Sequence, residues 1–255
     1  MTKLVITVAV PGLPFNGETF AKQSIGGSES AGYYLARALA KLKHSVTVFC
    51  NTEKAVSCED VDYLPLSMFR QFVEYTPHDV CIVQRAPDML QGYNQAKLTL
   101  LWCHDLAMRR SEGLYKGVSW NYDKVAVLSR FMLEQYKQVY NLADSQLFLT
   151  RNGVDLETVE RVRLDLAAQK EVVRNPLSLM FSARPERGLD VMLGEVMPRI
   201  LKQEPNARLF LSSYHNPVDQ LADFYAHCEA LARNLGQSVV QLGSLTKTEL
   251  YEVYH

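Results

Sequence analysis

The chain has 255 residues, 47% of them hydrophobic, which is enough for one large domain or two smaller ones. Charged residues make up 22%, the two signs are interspersed and the formal net charge is −1, which argues against a nucleic-acid-binding protein with its usual basic excess. The longest apolar runs have the length of a β-strand, far short of the roughly 20 residues that cross a bilayer.

The N-terminal run Leu4–Val10 is too short for a signal peptide and lacks a small-residue cleavage site, so it predicts a first strand. Apolar runs and segments of helical period then alternate, which predicts βα units and a parallel sheet. In the first helix an apolar stripe is expected, with Ser28 as its N-cap. That stripe comprises Ala31, Tyr34, Leu35, Ala38, Leu39 and Leu42. The later strands are expected at Ser45–Cys50, Val80–Gln84, Leu98–Cys103, Lys124–Leu128 and Gln146–Leu149.

The character of the chain changes over the charge-rich helical segment Glu157–Arg174, which ends at the break Asn175-Pro176. We therefore predict an N-terminal Rossmann-like domain at residues 1–170 and a partial second one at residues 171–255. The second would hold only three strands, whereas a doubly wound sheet commonly has about five or six. We expect it to be incomplete, with an edge that a second copy of the chain would cover. Its predicted elements are strands Leu177–Ser182, Ala207–Ser212 and Val239–Leu242, and helices Leu189–Gln203, Val218–Leu235 and Thr246 onward.

The five cysteines form no C-x-x-C pair and the six histidines no H-x-x-x-H pair. The cysteines are typical of free thiols in a reducing cytoplasm, where we expect the protein to be located. The histidines give a metal site little support, so we expect no metal.

The segment Ser24–Ala31, between the first strand and the first helix, carries the strongest local signal. Gly26 and Gly27 allow the backbone to come close to a ligand, and the helix N-terminus favours a phosphate or a sugar hydroxyl. An ordinary loop-to-helix turn, in which Ser28 caps the helix and Glu29 faces its dipole, is an equally good interpretation.

Further candidate residues follow other predicted strands. His104 and Asp105 come directly after one of them, at the edge where open α/β sheets bind ligands. Ser129-Arg130 follows the next strand, and Arg184 and Arg187 precede the first helix of the second domain, where two guanidinium groups suit a diphosphate. The alternatives are a His–Asp pair that only holds the loop, and arginines that are merely solvated.

In their order, these features resemble the retaining GT-B glycosyltransferases, in the large family that includes sucrose-phosphate synthases. Gly26-Gly27-Ser28-Glu29 is similar to the first glycine-rich loop of that family, and Leu101–Asp105 to its strand that ends in a cleft histidine. Val127–Phe131 with Asn152–Asp155 matches a further pair of its motifs, and Phe181–Asp190 is similar to the opening of its second domain. Two departures are Arg187, where the family usually has Lys, and the family's glutamate-containing donor motif, which would lie beyond His255.

The resemblance implies a fold of two Rossmann-like doubly wound domains, the second incomplete. It also implies a sugar transfer from a nucleoside-diphosphate sugar, as co-substrate, to a glycan, lipid-linked or small-molecule acceptor, with retention and without a cofactor. A lipid-linked acceptor would bring peripheral contact with a membrane. His104 would be the catalytic residue, and Gly27, Arg184 and Arg187 would bind the donor diphosphate. The acceptor-side residues would be Gly26, Ser28, Glu29, Asp105 and Arg130.

Two other functions are alternatives to this one. A truncated relative of such enzymes would serve as a non-catalytic module that binds a glycan or a partner subunit. A nicotinamide dehydrogenase is disfavoured, because no G-x-G-x-x-G follows the first strand and the second ends in Cys50-Asn51, without an acidic residue.

Overall fold

A computed structural model describes residues 2–168, 175–213 and 218–255 of the chain. It divides into two units, one of Met1–Phe20 with Gly26–Val154 and the other of Ala21–Ile25 with Asp155–His255. The boundary predicted between residues 170 and 171 lies outside the described residues.

The first unit is built on an eight-stranded sheet in the order β3-β4-β2-β1-β5-β6-β7-β8. All neighbouring strands are parallel except β3 and β4. The six strands predicted for this region are present, with ends that differ by at most two residues. The strands are β1 (Val5–Val10), β2 (Ser45–Cys50), β3 (Val56–Cys58), β4 (Val61–Pro65), β5 (His78–Gln84), β6 (Ala96–Trp102), β7 (Lys124–Val127) and β8 (Leu147–Leu149).

Strands β3 and β4 were not predicted. They form a short hairpin at the sheet edge, whose turn places Glu59 and Asp60 at φ 51° and 60°. Because polar residues interrupt both apolar runs, neither reaches the length by which sequence patterns reveal a strand.

Strand β1 lies between β2 and β5, so the chain builds one half of the sheet outward and then returns to the centre to build the other. Val8 is in register with Val48 on one side and with Ile82 on the other. In open α/β sheets this reversal of strand order leaves a crevice at the carboxyl ends of the central strands. Any site that the first unit holds is therefore expected beside the ends of β1 and β5.

Four α-helices accompany this sheet in the described residues: α1 (Gly27–Lys41), α2 (Phe69–Tyr75), α3 (Glu112–Gly117) and α4 (Arg130–Tyr140).

The stripe predicted for α1 is wrong. Ala38 and Leu42 are exposed, and the buried face is formed by Gly32, Tyr33, Ala36 and Ala40. Position 32 requires glycine because α1 packs close to the sheet there: a Cβ would lie 2.6 Å from a methyl carbon of Val10.

The second unit carries a parallel three-stranded sheet in the order β11-β10-β9. Its predicted strands and helices are all present, although a π-helical turn at Met192–Val196 interrupts the first helix after β9. Leu189, Leu193 and Met197 are buried at a spacing of four residues on that helix. The elements are α5 (Leu156–Ala168), β9 (Ser178–Phe181), α6 (Leu189–Val191), α7 (Met197–Gln203), β10 (Arg208–Ser212), α8 (Ala222–Leu235), β11 (Val239–Gly243) and α9 (Lys247–Tyr254).

The mixed α/β class and the two sheets agree with the predicted fold class. All five cysteines are free thiols, and four of them are buried. Among the described residues, none of the helices combines the length and the apolar character that a bilayer crossing requires.

Candidate functional site

The loop before α1 ends at Gly26, which is the N-cap residue and makes no side-chain cap. The prediction that Ser28 caps this helix is therefore wrong. Ser28 already lies within the first turn, and its hydroxyl donates a hydrogen bond of 2.9 Å to Oε2 of Glu29. A cap must precede the first helical residue, since only there does its oxygen reach the unpaired N–H groups of the first turn.

The carboxylate of Glu29 is buried beneath this loop. Its Oε1 accepts a hydrogen bond of 2.9 Å from the backbone N–H of Leu13, which ties the loop after β1 to the helix. A Cβ would lie 2.0 Å from Oε1 at Gly12 and 2.3 Å from Oε2 at Gly26. Glycine is therefore required at position 26 because the carboxylate of Glu29, and not a ligand, occupies the space beside it.

Gly27 is different, because a Cβ at this position would meet nothing within 4 Å. The residue is exposed and opens the helix, so its backbone lies at the positive end of the α1 dipole. Of the two glycines in the predicted phosphate loop, only Gly27 presents open backbone to a ligand.

Gln84 ends β5 and is completely buried. Its Nε2 donates a hydrogen bond of 2.8 Å to the backbone oxygen of Ser28 and lies 2.8 Å from Nε2 of His104. One amide group thus joins the ends of β5 and β6 to the first turn of α1.

Arg85 follows directly and adopts a positive φ of 65°, which is uncommon for a residue with a side chain. Its Nε donates to Oδ2 of Asp105 over 2.7 Å, and its Nη1 donates to Oγ of Ser28 over 3.0 Å. The backbone oxygen of Asp105 accepts a further hydrogen bond, of 3.0 Å, from the hydroxyl of Tyr136 on α4. The loop after β6 is thereby fixed on two sides.

His104 lies at the centre of this network, with its ring centroid 4.5 Å from that of Trp102. Burial of the ring, followed by the positive charge of Arg85, lowers its pKa from 6.5 to about 4. Asp105 and Glu29 act in the opposite direction but do not outweigh these effects. The imidazole is therefore neutral at pH 7.

The structure thus brings together Ser28, Glu29, His104 and Asp105 of the predicted site. Arg130 is the first residue of α4, after the N-cap Ser129, and is exposed. Among the described residues it makes no hydrogen bond to this cluster. Its role as an acceptor-side residue stays a prediction.

In the second unit, a cavity of about 420 Å³ lies at the carboxyl ends of β9, β10 and β11. Core side chains such as Leu193 and Cys228 form its apolar wall, and Arg184 and Glu229 are charged residues at its lining. Nε of Arg184 lies 2.5 Å from Oε1 of Glu186, and both side chains are about three-quarters buried.

Arg187 is exposed and does not line this cavity. Its backbone N–H donates to the oxygen of Arg184 over 3.0 Å, which closes a single turn ahead of Gly188. Gly188 has φ 101°, a conformation that favours glycine, and it leads into α6. The two arginines therefore share one short turn but differ in burial.

Gln84 and Arg85 also belong to the network around His104, although the sequence motifs do not include them. The signal that would have found them is the position of Gln84, a polar residue that directly follows the apolar run Val80–Val83 at the carboxyl end of β5. Its importance depends on β5 being next to β1, and strand order is not visible in a local pattern.

No protein-family model and no curated protein sequence matches the chain. Solved structures do match. The sucrose-phosphate synthase of Thermosynechococcus elongatus has a TM-score of 0.68 at 16% identity, over 99% of this chain and 73% of its own. A glycosyltransferase from Rickettsia africae ESF-5 has a TM-score of 0.64 at 12% identity, over 100% of this chain and 71% of its own. Anabaena HepE in complex with UDP-glucose has a TM-score of 0.57 at 12% identity, over 98% of this chain and 71% of its own. The predicted GT-B-like glycosyltransferase fold is confirmed.

Proposed function

We propose that this protein is a glycosyltransferase, which moves a sugar from a nucleoside-diphosphate sugar to the hydroxyl of an acceptor. The observation that carries the proposal is the cavity beside Arg184 at the carboxyl edge of the second sheet. Solved structures of the same fold include one in complex with UDP-glucose. A volume of about 420 Å³ falls within the range of roughly 300–1,000 Å³ that is usual for small-molecule sites.

The donor would be held through its diphosphate by Arg184 and Arg187, with the open backbone of Gly27 as a further contact. Arg184 engages Glu186 through Nε, which holds the guanidinium group at the lining of the cavity. A planar guanidinium suits the paired oxygens of a phosphate. The apolar wall of the cavity would take the flat face of a base.

The acceptor would bind on the first unit, near the Gly26–Glu29 loop and Arg130. His104 would contact the donor sugar or diphosphate, and its neutral ring suits hydrogen bonding to an uncharged hydroxyl as well as to a phosphate oxygen. Screening of nucleoside diphosphates, and then of glycan, lipid-linked and small-molecule acceptors, would identify the base, the sugar and the acceptor.

In the reaction, the bond between the anomeric carbon and the diphosphate oxygen breaks while a bond to the acceptor oxygen forms on the same face. The leaving phosphate takes the proton of the acceptor hydroxyl. Because the acceptor attacks the face from which the diphosphate departs, the configuration is retained without a protein nucleophile. Positive charge at Arg184 and Arg187 would stabilise the negative charge on the departing diphosphate. We expect no requirement for a metal, so activity should persist in excess EDTA.

Calorimetry with UDP, GDP and ADP tests the donor site. The variant Arg184→Ala should weaken binding about 10- to 150-fold, because a hydrogen bond to a charged group contributes about 1.5–3 kcal/mol. Arg187→Ala should approach that loss and Arg187→Lys should be milder. Arg199→Ala is the matched control, because Arg199 is exposed and its ion pair in the described part of the chain is with Glu195, four residues earlier. Unchanged binding in both alanine variants would refute the donor assignment.

Turnover separates an enzyme from a non-catalytic binding module. The nucleoside diphosphate that binds should be tested as its sugar derivatives against a panel of glycan and lipid-linked acceptors. The anomeric configuration of any product, read by proton NMR, reports retention or inversion. Tight binding of a nucleotide without transfer to any acceptor would favour the binding module.

A further inference from the structure

We propose that Gln84 is a positioning residue for His104 and holds the imidazole as the neutral tautomer with its hydrogen on Nδ1. The group that His104 offers to a ligand is then Nδ1–H, a donor to a sugar or phosphate oxygen. Only the identity of that ligand rests on the proposed function, because the tautomer is a property of the protein alone.

The backbone oxygen of Ser28 determines which way the amide of Gln84 points. A carbonyl oxygen only accepts hydrogen bonds, so the atom that lies 2.8 Å from it must be the nitrogen of the amide. Gln84 is completely buried, which leaves the amide no water with which to exchange this partner.

The second hydrogen of the same amide nitrogen points to His104. Nε2 of the ring lies 2.8 Å from Nε2 of Gln84, and an amide nitrogen does not accept hydrogen bonds. Nε2 of His104 must therefore be the acceptor and carry no hydrogen. A neutral imidazole has one N–H, which is then on Nδ1, and within the described part of the chain that atom has no hydrogen-bond partner.

Close packing keeps the three partners in place. Gly32 allows α1 to approach the end of β1, and a Cβ there would lie 3.5 Å from Oε1 of Gln84. The first turn of α1, which supplies the Ser28 oxygen, is fixed to the loop after β1 through Glu29. Protonation of His104 would set a second N–H against the amide of Gln84, so the contact also opposes the charged ring.

Charged groups on three different parts of the fold influence the pKa of His104. Arg85, at the end of β5, disfavours the protonated form, whereas Asp105 after β6 and Glu29 on α1 favour it. Burial and Arg85 prevail, so the ring is neutral at pH 7 before any contribution from Gln84. Gln84 selects which of the two neutral tautomers is present.

The test is nitrogen-15 NMR at pH 7.5 of the chain labelled on its histidine rings. The signals of His104 are assigned by their absence from the spectrum of the His104→Gln variant. We expect the Nδ1 of His104 to show the shift of a protonated nitrogen and Nε2 that of a bare one. His44 is an internal control with the opposite tautomer, because its Nδ1 accepts a hydrogen bond from the backbone N–H of Leu4. A hydrogen on Nε2 of His104 in the unmodified protein would overturn the proposal.

Two variants extend this measurement. Gln84→Glu replaces the donor by an acceptor, so we expect the hydrogen to move to Nε2 and the His104 pKa to rise by about one unit or more. Gln84→Leu removes the donor, so His104 should lose its single tautomer. Gln95→Leu, which removes an amide bonded to the oxygen of Glu74, should leave the His104 signals unchanged. A folded Gln84→Glu that retains the hydrogen on Nδ1 would contradict the role of Gln84. None of these results depends on a sugar donor.

Discussion

The two units differ in how completely they bury their side chains. Within the described residues, one core cluster of the first unit contains eighteen buried residues, whereas the cluster of the second unit contains six. Five of the six residues of β1 are buried, but none in β9 or β11. Because burial of apolar surface is the main stabilising contribution, the first unit is expected to be the more stable.

The candidate sites reflect this difference. In the first unit the polar groups near His104 are held by a network with fixed partners, on a sheet whose strands are packed on both sides. In the second unit, the cavity reaches core residues such as Leu193 and Cys228. Part of the core of the second unit is therefore lined by open space and not by other side chains. We infer that the first unit has a preorganised site, while the second gains packing when a ligand fills its cavity.

The largest effect is expected from removing a core leucine in each unit. Leu101 and Leu209 are both completely buried, so Leu101→Ala and Leu209→Ala are matched changes. Leu→Ala substitutions in cores cost about 2–5 kcal/mol, more where the surroundings cannot relax into the cavity. We expect Leu101→Ala near the upper end and Leu209→Ala near the lower end. Hydrogen exchange of the β5 and β10 amides measures each loss in its own sheet, and equal losses would contradict the difference in packing.

The fold class was predicted correctly from the sequence. Of the nine strands longer than three residues in the described part of the chain, all but β4 were predicted, and so was the three-residue strand β8. This was possible because buried parallel strands read as apolar runs, whatever their neighbours. The sequence pattern missed the inward face of α1, where small residues pack against the sheet and the larger Leu35 and Leu39 stay half-buried. The site was predicted in part: Ser28, Glu29, His104 and Asp105 lie in one network, but Gln84 and Arg85 join it only through the strand order.

The next effect is a dependence of stability on pH that originates in the first unit. His104 has its pKa lowered from 6.5 to about 4 in the folded chain, so the unfolded state takes up a proton first on acidification. The stabilisation is complete above about pH 6.5 and is lost as the pH falls towards 4. At pH 5 the loss should be about 2 kcal/mol, since one pKa unit corresponds to about 1.4 kcal/mol.

Urea unfolding at pH 7.5 and pH 5 measures this loss. The variant His104→Asn should lose about 2 kcal/mol less than the parent chain between the two pH values. If parent and variant respond identically, the ring is not held neutral by its surroundings.

A smaller effect is expected from two carboxylates, one in each unit. Glu29→Ala removes the acceptor for the backbone N–H of Leu13 inside the protein, which should cost about 1–3 kcal/mol. Glu186→Ala removes one partner of Arg184 at a partly exposed position, where an ion pair contributes about 0–1 kcal/mol. Thermal unfolding of both variants gives the comparison. A greater loss for Glu186→Ala would show that the ion pair in the second unit is the more important contact.

The last comparison concerns two glycines, Gly27 at the start of α1 and Gly188 just before α6, and the smallest change in stability is expected at Gly27. A Cβ meets nothing within 4 Å at either Gly27 or Gly188, so neither substitution creates a clash. Gly188 has φ 101°, and Gly188→Ala should cost about 1–2 kcal/mol because an L-residue is strained in a left-handed conformation. Gly27 lies in the helix, where alanine is preferred to glycine by up to about 1 kcal/mol. Gly27→Ala should therefore stabilise the chain by roughly a few tenths of a kcal/mol.

The same substitution at Gly27 tests whether the open backbone is there for a ligand. If a diphosphate or sugar approaches the N-terminus of α1, the added methyl group should weaken its binding several-fold while the chain becomes slightly more stable. Titration of Gly27→Ala with the nucleoside diphosphate that binds the parent chain, beside its thermal unfolding, separates the two effects. Unchanged affinity together with higher stability would mean that nothing binds against Gly27, and the preorganised network around His104 would then have to act without that loop.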